Sequence, residues 1–149
     1  MNDFLELRED LIKEDKSIAW DISKLRKEIF RIKLSHINPT ELRDEIVNKA
    51  FEIFISKRHE VTFFDGVKKC ISDLSEKYSL GILTNGNADI YKFDIGKYFK
   101  FSISSLEAKD SKPNRSHFDM ALTKVKDVGF ENVLHICLLY TSDAADDSL

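Results

Sequence analysis

The sequence predicts an α/β fold in which an all-helical module precedes a doubly wound parallel sheet. Up to about residue 59, apolar residues recur every three or four positions with charged residues between them, which is the pattern of amphipathic helices. Beyond residue 66, short apolar runs alternate with further helical patterns. Because parallel strands need a crossover connection that is usually a helix, this alternation favours a parallel sheet.

The helical module is expected to contain three helices. Apolar positions three and four residues apart predict two of them between Asp3 and about residue 32. The third starts at a strong signal, since Asn38 can cap a helix, Pro39 suits its first position and Glu41 stands three residues after the cap. It is predicted to end near Arg58. Its buried face is expected to consist of Leu42, Ile46, Ala50 and Phe54 or their neighbours.

The sheet region is expected to hold three strands with helices between them. The strands are predicted at residues 79–84, 101–105 and 133–136, where short apolar runs occur. One helix is predicted on the face formed by Val67, Cys70, Ile71 and Leu74, another at residues 88–98, and a third at residues 114–128, closed by Gly129. On this pattern Cys70 and Trp20 are interpreted as core residues.

Composition excludes several classes of protein. A chain of 149 residues with 42% hydrophobic residues is long enough for one domain with a real core, and so not disordered. No apolar run approaches the roughly 18 residues of a spanning helix, which excludes a membrane protein. Lysine and arginine are spread along the chain, so no nucleic-acid partner is predicted. The amino terminus lacks a secretory signal, and a cytoplasmic location is expected.

Candidate site residues follow the predicted strands, because ligands of open parallel sheets bind beyond the carboxyl ends of the strands. At 84–87 the chain reads Thr-Asn-Gly-Asn, which offers a hydroxyl, an amide and backbone N–H groups to a phosphate; an ordinary turn is the alternative. After the second strand Lys112 directly precedes Pro113, and a solvated lysine is the alternative. Since they follow consecutive strands, Thr84 and Lys112 are expected to reach one phosphoryl group.

Histidines and cysteines show no spacing typical of metal ligands. The residues concerned are His36, His59, His117, His135, Cys70 and Cys137. Each histidine is interpreted as structural or solvent-facing.

Several of these segments resemble motifs of one enzyme superfamily. The stretch 80–86, Leu-Gly-Ile-Leu-Thr-Asn-Gly, resembles the second motif of the haloacid dehalogenase (HAD) superfamily, and 111–113, Ser-Lys-Pro, resembles its third. The run 133–136, Val-Leu-His-Ile, resembles the strand that leads to the fourth motif, and the upstream helices look like the helical cap. The resemblance extends from about Leu5 to Ile136. It is strongest to bacterial phosphatases that act on flavin mononucleotide and on a ribityl-uracil phosphate.

The resemblance implies a HAD-like core, with a Rossmann-type parallel sheet, and a helical cap. It implies hydrolysis of a small-molecule phosphate ester in which an aspartate takes up the phosphoryl group, a second aspartate acts as acid and base, and Mg²⁺ neutralises charge. Thr84, with the backbone of Asn85 and Gly86, would bind phosphoryl oxygens. Lys112 would be the catalytic group that balances negative charge. The oligomeric state is left open.

Parts of the family pattern are missing from the sequence. The first motif, D-x-D-x-T after an apolar strand, does not occur. We therefore expect a fragment without its nucleophile, comprising a cap at residues 1–62 and a partial core at residues 63–136, and without activity. No residue is assigned as a metal ligand. Residues 137–149 resemble a translated transposase sequencing adapter and are interpreted as read-through that is not native; a genuine acidic terminus is the alternative.

Two other functions stay open at this point. A dehalogenase of the same superfamily would act on a carbon–halogen bond without Mg²⁺, and the first motif would distinguish it from a phosphatase. A non-catalytic module would use its helices to bind a partner. An exposed apolar strip along the sheet edge would favour a fragment over that module.

Overall fold

The computed structural model describes residues 2–126 and 128–137, and these residues form helices around a small parallel sheet. The helices are α1 (Asn2–Glu14), α2 (Ile22–Lys33), α3 (Thr40–Arg58), α4 (Val67–Lys77), α5 (Ser105–Ala108) and α6 (Ser116–Lys124). The strands are β1 (Leu80–Thr84) and β2 (Phe99–Ser104). Short 3₁₀ helices occupy Lys16–Ala19, Ile90–Lys92, Asp94–Tyr98 and Phe130–Asn132. None of these helices is long and apolar enough to cross a membrane.

The three predicted N-terminal helices are present as α1, α2 and α3. The 3₁₀ helix between α1 and α2 is capped by Asp15, whose carboxylate accepts the backbone N–H of Ser17 and also pairs with Lys24. This pair joins the turn to α2. A core then forms beneath it from Leu11, Ile18 and Leu25, with Leu7, Ile12 and Ile29 packed against them.

The start of α3 differs from the prediction in its cap. The helix begins at Thr40, and the cap residue is Pro39, which makes no side-chain cap hydrogen bond. Asn38 is therefore not the cap, because Pro39 has an extended backbone with ψ of 170°. The buried face of α3 also differs from the prediction, since Val47 is fully buried whereas Leu42 is 44% exposed. The helix packs along its length against α2, so its inward face is set by that contact.

The sheet pairs β1 with β2 in parallel, with Thr84 opposite Ser104. The first two of the three predicted strands are confirmed, and their carboxyl ends lie at one edge. Ile103 is fully buried on β2. The helix predicted at 88–98 is replaced by two 3₁₀ helices, because Gly96 lies so close to the preceding turn that a Cβ there would be 2.4 Å from the carbonyl oxygen of Ile90.

The third predicted strand is not formed in the part of the chain that the structure describes. Residues 133–136 are irregular, and Leu134 and Ile136 are 85% and 82% exposed. Apolar residues make a strand only where a neighbouring backbone supplies hydrogen bonds, and β1 and β2 pair only with each other. Helix α6 ends at Lys124, before the β-branched Val125, so Gly129 does not close it.

The interpretation of Cys70 as a core residue is wrong, since its side chain is exposed. Helix α4 has no fully buried residue, and its inward side is formed instead by half-buried positions such as Val67, Ile71 and Leu74. Cys70 lies at the edge of that face. Trp20 is half-buried and ends a 3₁₀ helix. The domain boundary at residue 62 stays a prediction, and the interpretation of residues 137–149 falls outside the described residues beyond Cys137.

Candidate functional site

The turn after β1 forms around the hydroxyl of Thr84. Its Oγ1 accepts the backbone N–H of Gly86 at 2.9 Å, which folds the chain back as the strand ends. A Cβ on Gly86 would lie 3.2 Å from Thr84 Oγ1 and 3.3 Å from Nη2 of Arg58. A glycine therefore keeps open a small space flanked by a hydroxyl and a guanidinium. The Thr84 hydroxyl accepts one hydrogen bond here and can donate its own proton to an oxyanion.

Asn85 joins the loops that follow the two strands. Its Oδ1 accepts the backbone N–H of Lys112 at 2.7 Å, and its Nδ2 donates to the carbonyl oxygen of Lys112 at 2.9 Å. Both ends of the carboxamide are used in this way, so the side chain is not available to a ligand. Asn85 instead fixes Lys112 beside the turn that contains Thr84.

The loop before Lys112 is fixed by Asp110. Its carboxylate accepts the hydroxyl of Ser116 at 2.5 Å, the amide of Asn114 at 2.7 Å and the backbone N–H of Ser111 at 2.8 Å. These hydrogen bonds stabilise the charged form and lower the pKa of Asp110. The ammonium of Lys112 lies 3.7 Å from Sγ of Cys137. The backbone of this loop is therefore held on both sides of Lys112.

The helical N-terminal part covers the same edge of the sheet. Ser105 Oγ donates to the carbonyl oxygen of Trp20 at 2.7 Å, and Asn87 Nδ2 donates to Ser23 Oγ at 3.0 Å. Ser111 Oγ donates to the carbonyl oxygen of Ala19 at 3.3 Å. Each bond joins a residue after a strand to the start of α2 or the turn before it. The helices thus lie over the turn rather than apart from it.

His117 supports the end of β1 from α6. Its ring is fully buried, and Nε2 lies 3.3 Å from the carbonyl oxygen of Thr84. Burial lowers the pKa of His117, and the nearby charge of Lys112 acts in the same direction. Because a carbonyl oxygen only accepts, Nε2 is the nitrogen that donates a proton to the strand. This agrees with the structural interpretation and not with a ligand role.

His59 connects α3 to the turn after β1. Its Nε2 accepts the backbone N–H of Asp89 at 2.9 Å, so Nδ1 carries the proton that is donated to the carbonyl oxygen of Ile55 at 2.7 Å. The ring also packs on Phe93, with centroids 5.5 Å apart. His59 is thus a structural residue, and it places the end of α3 against the loop after Gly86.

The described residues do not fit a magnesium site. Across 2–126 and 128–137, no group of three or more His, Cys, Asp and Glu side chains lies close enough to hold a metal ion. Asp89, which follows the turn, and Asp110, which precedes Lys112, are engaged elsewhere, since Asp110 is bound by its own loop and Asp89 accepts the N–H of Tyr91.

The structure places the predicted residues Thr84, Asn85, Gly86 and Lys112 together at the carboxyl edge of the sheet. There the side-chain amide of Asn85 and the backbone N–H of Gly86 are hydrogen bonded within the loops, and the binding of phosphoryl oxygens by the backbone of Asn85 and Gly86 stays a prediction. Sequence reasoning missed Arg58, and it named His59 only as a structural or solvent-facing histidine; both residues lie at the end of α3, far from the strand in sequence. No local pattern marks them, because their place in the site depends on how α3 packs.

Comparison with known proteins gives the family. The sequence profile described as haloacid dehalogenase-like hydrolase matches residues 13–135. The structure is similar to a crystal structure of 2-haloacid dehalogenase from Pseudomonas syringae pv. Tomato DC3000, with a TM-score of 0.74 and 30% sequence identity. That match covers 81% of this chain and 53% of the other, so the chain spans about half the length of this relative. No curated protein matches the chain. The chain belongs to the haloacid dehalogenase-like hydrolase family.

Proposed function

We propose that the turn at 84–86 and Lys112 form the substrate-anion site of a phosphatase that acts on small phosphorylated metabolites through an aspartyl-phosphate. The observation that carries this proposal is the pair of hydrogen bonds from Asn85 to the backbone of Lys112. They hold the backbone of Lys112 beside the turn that contains Thr84, whose hydroxyl accepts one hydrogen bond and can donate its proton to an oxyanion. Hydroxyl and ammonium donors fixed in advance stabilise negative charge without reorganising.

Each residue has a separate part in this proposal. Thr84 donates its hydroxyl proton to a phosphoryl oxygen, and Gly86 leaves room for that oxygen beside it. Lys112 neutralises charge, and Asn85 acts as a positioning residue. Flavin and ribityl phosphates are the substrates suggested by the sequence resemblance, in a cytoplasmic setting. Magnesium dependence also stays a prediction from that resemblance, and none of these roles involves the ion.

We further propose that this chain does not hydrolyse phosphate esters. An aspartyl-phosphate needs a carboxylate free to attack at the carboxyl edge of the sheet. The nearby Asp89 and Asp110 are both occupied in capping hydrogen bonds. The described residues therefore supply the anion site but not the nucleophile.

A dehalogenase is the second candidate, because the similar solved structure is named a 2-haloacid dehalogenase. Its ligand would be a small carboxylic acid and a halide in place of a phosphate. The same turn could bind either class of anion, so the two functions differ in which anion the isolated site prefers.

Binding of small anions to the full chain tests the proposal. Amide chemical shifts are followed by NMR during titration with inorganic phosphate, and separately with L-lactate and chloride. We expect phosphate to shift residues 84–87 and 112 and to bind more tightly than the other two. Thr84→Val should weaken phosphate binding about tenfold, as expected for a lost hydrogen bond to a charged group, whereas Thr84→Ser should retain it.

The matched control is Thr123→Val, because Thr123 is exposed and donates only to the carbonyl oxygen of Met120 in its own helix. This variant should bind phosphate as the unchanged chain does. Tighter binding of L-lactate and chloride at the same amides would overturn the phosphatase in favour of the dehalogenase. Hydrolysis of p-nitrophenyl phosphate by the chain in the presence of Mg²⁺ would contradict the proposal that the nucleophile is missing.

A further inference from the structure

Arg58 is the last residue of α3, and its side chain reaches the turn after β1. The position that a Cβ of Gly86 would take lies 3.3 Å from Nη2 of Arg58 and 3.2 Å from Oγ1 of Thr84. One small space is therefore flanked by a strand residue and by a helix residue 26 positions earlier. The guanidinium is exposed, so an anion from solvent can reach it.

The neighbouring His59 holds this end of α3 in place. Its two ring nitrogens connect the carbonyl oxygen of Ile55 to the backbone N–H of Asp89, at 2.7 and 2.9 Å. One end of this bridge is in the last turn of α3 and the other is three residues beyond Gly86. Arg58 is thereby placed by hydrogen bonds that do not involve its own side chain.

Arg58 differs from Arg31 and Arg115 in its charge environment, and shares the lack of a carboxylate partner with Arg8, Arg26 and Arg43 among the described residues. Arg31 pairs with Glu28 and Asp44, and Arg115 pairs with Asp119. Within the described part of the chain, Arg58 forms no ion pair with a carboxylate. A guanidinium that faces a hydroxyl and an open glycine turn, with no protein anion beside it, offers two parallel N–H donors to an oxyanion.

We propose that Arg58 is a substrate-binding residue through which the helical module contacts the anionic group of the substrate. The inference rests on the proposed anion site and adds a third donor to Thr84 and Lys112. Its ligand is the phosphoryl group of a phosphate monoester, because two phosphoryl oxygens can accept the two parallel N–H donors of the guanidinium. Because Arg58 is on α3 and Thr84 is on β1, a bound anion would also join these two elements.

Variants of the full chain test the inference by phosphate titration with NMR detection. Arg58→Met removes the charge and should weaken phosphate binding about tenfold or more. Arg58→Lys keeps the charge without the paired donors, so it should bind phosphate more tightly than Arg58→Met and less tightly than the unchanged chain. Arg43→Met is the control, since it makes the same charge change about 22 Å away along the same helix. It should bind phosphate unchanged.

The outcomes separate the inference from the proposed function. If Thr84→Val weakens binding and Arg58→Met does not, the inference is overturned and the anion site stands. If neither variant changes binding, both fail. Equal losses in Arg58→Met and Arg43→Met would show a general charge effect and would also overturn the inference.

A further variant, His59→Phe, keeps an aromatic ring but loses the hydrogen bond to the backbone N–H of Asp89. It should weaken phosphate binding while leaving the Thr84 turn formed.

Discussion

At the scale of single residues, the site is held in place by side chains that are hydrogen bonded to other groups of the protein. Asn85 uses its whole carboxamide to hold Lys112, and Asp110 uses its carboxylate to hold the same loop. His117 and His59 each use a ring nitrogen on the backbone around the turn. These groups leave Thr84, Arg58 and the Lys112 ammonium as donors for a ligand.

His117 gives a prediction for the pH dependence of stability. Burial lowers its pKa below the ordinary value of 6.5, so as pH falls the unfolded chain takes up a proton before the folded chain does. The free energy of unfolding should therefore be highest above pH 6.5 and decrease as pH is lowered through it. The change should be measured by urea denaturation at pH 8 and pH 5.5.

The variant His117→Asn should lose part of this decrease, because it has no titrating ring while its amide can still donate to the carbonyl oxygen of Thr84. His135, whose pKa is also lowered by burial, should supply the remainder. The matched control, His36→Asn, lies at an exposed position and should retain the whole decrease. An unchanged decrease in His117→Asn would contradict the prediction.

At the scale of elements, β2 and α3 contribute to the site in different ways. The parallel pairing of β1 with β2 sets the edge at which both loops begin, and α3 brings Arg58 and His59 to that edge. The strand is anchored by the fully buried Ile103, whereas α3 carries Val47 on its buried side and Ile53 on its exposed side. Burial therefore decides how much each apolar residue adds to stability.

The same substitution at two isoleucines checks this difference. Ile103→Ala removes a fully buried side chain and should lower the free energy of unfolding by about 2–5 kcal/mol. Ile53→Ala removes one that is 55% exposed and should change it by less than about 1 kcal/mol, since alanine also favours the helix. Urea denaturation of both variants gives the comparison. Equal losses would mean that the two positions are buried alike.

At the scale of the whole molecule, the sheet is small for the number of helices around it. Two paired strands are described, and residues 133–136 are irregular, with Leu134 and Ile136 exposed. The exposed apolar strip is predicted along the sheet edge, and this segment is not part of the sheet, so the fragment stays a prediction. The relative from Pseudomonas syringae is matched over 53% of its length, so it contains further chain that the match does not cover.

Hydrogen exchange tests this topology. Backbone amides at 133–136 should exchange rapidly, because no strand accepts their hydrogen bonds. Amides of β2, which pairs with β1 over Phe99–Ser104, should be strongly protected. The measurement is native-state exchange followed by NMR on the full chain. Protection of 133–136 equal to that of β2 would show a third strand and would restore the sequence prediction.

Local pattern determined much of this protein in advance. Periodic apolar residues give α1, α2 and α3, and short apolar runs give β1 and β2, because each pattern has one backbone geometry that buries it. The positions of Thr84 and Lys112 after consecutive strands also follow from the sequence, since parallel strands end at one edge. The resemblance of the same segments to the family motifs agrees with the family match over 13–135.

Tertiary structure decided the rest, because it depends on which surfaces meet. Among the described residues, Cys70 is exposed and residues 133–136 form no strand, although the sequence predicts a core position and a strand. The hydrogen bonds of Asn85 to Lys112 and the approach of Arg58 to Gly86 join residues 27 and 28 positions apart. No periodicity encodes such pairs. They exist because helix packing and strand pairing bring distant backbone and side-chain groups within hydrogen-bonding distance.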